Sequence, residues 1–174
     1  MGQENPAPTS CLCQSLPDLA VVPMGGDGED ERVFGSLENV KNHGGEQWWL
    51  YLSTCTRCSQ NWMVAQDERI YDNYYLRRLS RESRLAIIKQ GQWPEEFMTY
   101  ERVLRLGRTM GKPWTWLDPR SSSLVWTAED LKRERPAIST AEIADLLAIS
   151  EVDAARLLRP ESLIDRFRRY VLGR

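Results

Sequence analysis

Apolar positions along this chain change period near residue 80. Before that point they recur every second residue. Trp48, Leu50 and Leu52 fall on one face of an extended run, with Trp49, Tyr51 and Ser53 on the other. After a short break, Trp62 and Val64 alternate with Met63 and Ala65. Two such aromatic and β-branched runs around a short turn predict a β-hairpin. The second run is expected to continue through residues 70–76, with Asp67-Glu68-Arg69 as a turn or bulge. Residues 16–24 carry two prolines and support no more than a short edge strand. Residues 25–31 read as a flexible acidic loop, and residues 32–41 as a further strand or a helical turn.

After Leu79 the period becomes helical. Ser80 is placed to cap a helix carrying Leu85, Ile87 and Ile88 up to Gly91. Pro94 suits a first helical position, and Glu95 and Glu96 favour the positive end that follows. Phe97, Tyr100, Val103, Leu104 and Gly107 then recur at helical spacing. Residues 112–126 are rich in Pro, Ser and Trp and read as a linker or a partner-binding surface. Trp114, Trp116 and Trp126 are its candidate contact residues; the alternative is that the two earlier tryptophans lie back on the core. Thr127 begins a short helix that stops before Pro136. Ser139 and Glu142 have capping-box spacing, ahead of an apolar face of Ile143, Leu146 and Leu147. Ser150 starts another helix bearing Ala154, Ala155, Leu157 and Leu158. Pro160 opens a last one, with Leu163, Ile164, Phe167, Tyr170 and Val171 inward and Arg166, Arg168 and Arg169 outward.

The cysteines add chemistry to the hairpin. There are four, in two close pairs: Cys11-Leu12-Cys13 and Cys55-Thr56-Arg57-Cys58. Each pair can present two thiolates from one tight backbone knuckle, and two knuckles complete a tetrahedral four-thiolate shell, which suits zinc best. Many knuckles have Gly after the second Cys; here Ser59 stands there. The alternatives are a redox-active Cys-x-x-Cys or inert thiols. Redox pairs of the thioredoxin type open a helix, whereas this pair lies between strand-like runs. His43, the only histidine, sits in an Asn-His-Gly-Gly turn and reads as a loop residue, with substitute metal ligand or catalytic base as the alternative.

Length and composition narrow the picture. At 174 residues the chain suits one domain or two small ones. No apolar run is long enough to span a membrane, and residues 1–10 form a polar, proline-containing lead-in, expected to be disordered and unlike a signal peptide. A reducing, cytoplasmic setting is therefore expected, in which disulfides are disfavoured. The net charge of −2 gives no general drive toward nucleic acid. Residues 1–46 hold eight acids against two bases, so the front is acidic and the remainder mildly basic. Seven tryptophans is a high number and points to contact surfaces, because Trp is enriched at interface hot spots. The glycines and acids of residues 25–31 match neither a phosphate loop nor a calcium loop. A single histidine excludes most triad and acid–base arrangements.

Two resemblances follow from these motifs. The half containing Cys11, Cys13, Cys55 and Cys58, with its aromatic strands, resembles zinc ribbons, which implies a bound zinc at those four residues. Residues 140–159 resemble a helix-turn-helix through Ile143, Ala144, Leu147, Ile149, Ala154 and Leu157, with Ala148 where that family usually has Gly. That likeness implies a DNA reader, for which Arg156 and Arg159 would contact phosphate. Glu151 and Asp153 stand on the same helix, where a reader would prefer basic or amide side chains. More loosely, a small chain of this build is similar to bacterial toxin immunity proteins. The expected fold class is α+β: a small β zinc-ribbon-like N-terminal part, then an α-helical part ending in a helix-turn-helix-like hairpin. The expected domains are the lead-in 1–10, the β domain 11–79, a helical pair 80–111 packed on it, the Trp-rich linker 112–126 and the helical tail 127–174. The expected function is a non-enzymatic, zinc-binding protein-interaction module, an inhibitor or immunity-like protein acting on a protein partner. The alternative is a DNA-binding transcriptional regulator.

Overall fold

The computed structural model describes residues 11–25, 27–110, 118 and 121–159. It is α+β, and it divides into two compact units, residues 1–113 and 114–174. The lead-in, Trp114, Trp116 and the expected last helix lie outside the described residues.

The first unit is built on a five-stranded antiparallel sheet, in which the expected hairpin is joined by strands within the stretches read as a short edge strand (16–24) and as a strand or helical turn (32–41). Its strands are β1 (Leu19–Pro23), β2 (Leu37–Gly44), β3 (Gln47–Cys55), β4 (Asn61–Asp67) and β5 (Asn73–Leu79), in the order β1-β5-β4-β3-β2. β1 is an edge strand, as two prolines required, and Pro23 closes it. β4 ends at Asp67, where a turn or bulge is expected, and the break runs on to Asp72. The chain turns at Asp72, whose φ of 50° is left-handed, and β5 returns alongside β4. The expected acidic loop is partly helical: Glu29 opens α1 (Glu29–Phe34). Asp27 accepts the Glu29 N–H, and three acids occupy the first turn, where the helix dipole favours negative charge.

The sheet is covered on both faces. On one face Ala20, Val22, Trp62, Val64 and Leu76 form a core with Cys13, Cys55 and Val33 of α1. On the other, Met63 and Ala65 of β4 are equally buried, and α3 (Tyr100–Thr109) packs there. The alternation in β3 breaks, however. Trp49 and Leu50 are both buried; Trp49 donates to the Phe97 carbonyl at 3.2 Å, while Trp48 lines the same trough as Tyr51 and Ser53. The β2–β3 register slips between Asn42 and Gly44, and beside this irregularity both Trp48 and Trp49 reach Tyr100 of α3, with ring centroids 6.4 and 5.1 Å from its ring.

The helices begin and end largely where their caps dictate. Ser80 caps α2 (Arg81–Gln90), which Gly91 ends in a left-handed conformation (φ 68°). Pro94 instead precedes a 3-10 turn, Glu95–Phe97, and Thr99 is the cap of α3, its side chain accepting the Arg102 N–H. Gly107 is required by contact, because a Cβ there would lie 2.4 Å from the Tyr75 hydroxyl.

Ser36, Ser53, Asp67 and Asn73 are the buried polar residues described in this unit, and Asp67 alone among them is a carboxylic acid. Asp67 is fully buried; its Oδ1 accepts from the Tyr100 hydroxyl at 2.6 Å and from the Ile70 N–H, while Oδ2 has no partner among the described residues. Burial pushes its carboxyl up to about 6, against the Tyr100 and backbone hydrogen bonds that favour the charge. The folded value thus lies above the unfolded one of about 3.9. Asp67 therefore favours the fold most below pH about 4 and loses that contribution as pH rises toward about 6, a change of about 3 kcal/mol. Asp67→Asn should flatten this fall and unfold at higher urea than the parent at pH 7. Urea titrations across that window check it; parallel curves for the two proteins would contradict it.

In the second unit, α4 (Ser122–Glu134) starts five residues before the expected Thr127, because Ser121 supplies the cap. Trp126 therefore stands within a helix rather than in a linker. α5 (Thr140–Leu146) carries the full Ser139–Glu142 capping box, and Ser150 caps α6 (Glu151–Leu157). Between them Ala148 adopts φ 50°. A Cβ is disfavoured in that region, so Ala148→Gly should stabilise the protein by about 1 kcal/mol, read as a raised thermal midpoint.

Candidate metal centre

The two cysteine pairs, far apart in sequence, meet at one end of the sheet. The sulfurs of Cys11, Cys13, Cys55 and Cys58 all lie within 4.8 Å of one another. All four are free thiols. The group could hold a single metal ion.

Each pair is set by a short, hydrogen-bonded turn. Cys11 precedes the 3-10 turn Leu12–Gln14 in an extended conformation, and Cys13 lies within that turn. Cys55 ends β3, and Cys58 sits in the tight connection to β4. Gln60 accepts the Cys55 N–H at 2.8 Å, and Cys55 accepts the Ser59 N–H at 2.9 Å. Ser59 has φ 61°, the left-handed conformation that Gly commonly supplies at this point of a knuckle.

The thiols sit in unequal surroundings. Cys13 and Cys55 are buried, Cys11 is half-buried and Cys58 is exposed. Burial pushes the Cys13 thiol up to about 12, opposed by the Trp62 indole N–H, which donates to its sulfur at 3.4 Å. Burial also opposes ionisation of Cys55. There, the Ser36 hydroxyl and the backbone amides of Cys58 and Arg57 prevail and bring the thiol down to about 6. Cys55 Sγ lies 3.5 Å from Ser36 Oγ. These groups are the kind that orient ligands and stabilise thiolate charge around a metal.

Arg78 ties the two knuckles together, and sequence reasoning missed it. From β5 its guanidinium donates to the carbonyls of Cys13 (2.8 Å) and Leu16 (2.7 Å), to Gln60 Oε1 (2.8 Å) and to Asp18 Oδ1 (3.0 Å). It also lies 4.5 Å from the centroid of the Trp62 ring that bonds Cys13. An arginine on a strand after the motif carries no local signal, because its partners come from elements that only folding brings together.

His43, Trp126, Arg156 and Arg159 are not members of the thiol cluster. His43 packs on Trp93, with ring centroids 5.1 Å apart, and its Nδ1 lies 3.2 Å from the Gly44 carbonyl oxygen. Trp126 is 54% exposed on α4. Arg156 in α6 and Arg159 just after it are exposed, and Arg156 donates to Asp153 Oδ1 at 3.0 Å. No helix among the described residues is long and apolar enough to cross a membrane. No family model matches the chain, and no curated protein or solved structure matches it.

Proposed function

We propose that this chain is a zinc-binding, non-enzymatic protein-interaction module, an inhibitor or immunity-like protein that acts on a protein partner in the cytosol. The observation that carries the reading is the convergence of four thiols within 4.8 Å. Zinc with bonds of about 2.3 Å to four tetrahedral sulfurs needs them about 3.8 Å apart, a small contraction of this cluster. Four thiolates fill the coordination shell, leaving no open position for a substrate, so the ion's role is to fasten the fold. Partner binding is supported by Trp126, a large apolar side chain left exposed on a helix. Trp114 and Trp116 belong to the same proposed surface by sequence.

Two measurements test the reading. Elemental analysis of reduced, freshly purified protein should give one zinc per chain, lost in Cys55→Ser and kept in His43→Ala. Affinity capture from the native host should recover a discrete protein whose binding falls by about 2 kcal/mol in Trp126→Ala. Metal-free native protein, or capture indifferent to Trp126, overturns it.

The DNA-binding alternative has its own observation. Ala148 is left-handed in the turn joining α5 to α6, where helix-turn-helix units usually place Gly, and Ala144 and Ala154 are buried on those two helices. Against it, Asp153 takes up Arg156, leaving few cations to release counterions. Anisotropy titration of host genomic fragments separates the readings. A sequence-specific complex that survives physiological salt and is lost in Arg156→Ala with Arg159→Ala selects the regulator.

A further inference from the structure

A second site lies on the sheet, over strands β2 to β4. There a shallow trough of about 590 Å³ is walled at one side by Phe34 of α1 and floored by Tyr51, Ser53 and Gln66. Asn39 and Asn42 line it along β2, and Trp48 with Gly44 and Gly45 closes it at the β2–β3 turn. None of its lining side chains carries a charge. Its size is that of a small-molecule site.

The polar groups of the trough are only partly engaged. Asn39 Nδ2 donates to Asn42 Oδ1 at 2.8 Å, which leaves one amide donor group and one acceptor of this pair open. Among the described residues, no hydrogen bond engages the side chains of Tyr51, Ser53 or Gln66. Ser53 is only 2% exposed, so its hydroxyl faces little else than this trough. Trp48 is braced by the Arg69 guanidinium, 4.9 Å from its ring centroid, and keeps 38% of its surface exposed.

We propose that this trough binds a neutral saccharide whose pyranose rings have equatorial hydroxyls, of the glucose or N-acetylglucosamine type. Such a ring has a flat C–H face that packs on an aromatic side chain and a rim of hydroxyls that each donate and accept. Trp48 and Tyr51 supply aromatic surface. Asparagine and glutamine amides present a donor and an acceptor side by side, matching adjacent hydroxyls. The uncharged lining disfavours the phosphates of nucleotides, which call for cationic or helix-terminal groups. The site is separate from the four thiols and does not rest on their metal.

The test is calorimetric titration of the full-length protein with cellotriose and with chitotriose, accompanied by amide chemical-shift mapping. Saturable binding by at least one of them at about 1 mM or tighter is expected. The shifts should centre on residues 37–53 and Gln66. Trp48→Ala should weaken binding at least about tenfold. Because Trp48 also packs within the fold, Gln66→Ala, which removes a half-buried amide, provides the second variant and should weaken binding too. Absence of saturable binding by both sugars overturns the proposal. So does binding that persists unchanged in the folded Trp48→Ala and Gln66→Ala variants.

Discussion

Chelating the metal from the zinc-loaded protein should produce the largest loss of stability of any single perturbation, concentrated around the two knuckles. The reason is coupling. Structural zinc in small thiolate sites is bound with an apparent free energy of about 10–16 kcal/mol, comparable with the entire stability of an ordinary domain at about 5–15 kcal/mol. Here the ion would join the 3-10 turn Leu12–Gln14 to the β3–β4 connection. Without it, Cys13 and Cys55 remain as a buried thiol pair beneath Trp62, and the turn is held only by its side-chain and backbone contacts. Amide exchange should rise first at residues 12–16 and 55–60. It should rise less in α3, which packs on the opposite face through Tyr100 and Asp67. Cys55→Ser should reproduce the effect and lower the thermal midpoint. Exchange that is identical with and without chelator would remove the structural role assigned to the ion.

Arg78→Met should be the most damaging substitution outside the cysteines. Methionine retains part of the apolar stem over Trp62 but removes the fork that serves Cys13, Leu16, Gln60 and Asp18. Groups that support metal ligands from behind typically contribute about 10- to 100-fold in affinity. The carbonyls left without their donor add a stability loss of about 3 kcal/mol. Arg78→Lys should recover little, since an ammonium cannot reproduce a planar fork that reaches four acceptors. Competition with a chromophoric chelator measures the affinity, and urea unfolding measures the stability. Arg105→Met supplies the contrast: Arg105 is exposed and its partner Glu101 is a neighbour on the same helix, and i,i+4 helix pairs are worth about 0.3–0.5 kcal/mol. Equal effects at Arg78 and Arg105 would show that the Arg78 contacts do not matter.

The sequence by itself determined what is local. The caps at Ser80, Ser139 and Ser150 were legible because a hydroxyl three residues before an unpaired N–H is a one-turn relation. The two thiol pairs were legible because a knuckle is built from adjacent residues, and together their four sulfurs could hold one metal ion. The α+β class followed from the change of period near residue 80. Tertiary structure decided what depends on partners distant in the chain. It separated β5 from β4 and made β4 central, so that both of its faces are buried and alternation no longer marks an outside. It slipped the register of β3 against β2 and brought Trp48 and Trp49 together beside Tyr100. It placed Arg78 over Trp62 and buried Asp67 against Tyr100, contacts that span 16 and 33 positions of chain. No periodicity records such pairings, because they exist only once a sheet has fixed which strands are neighbours.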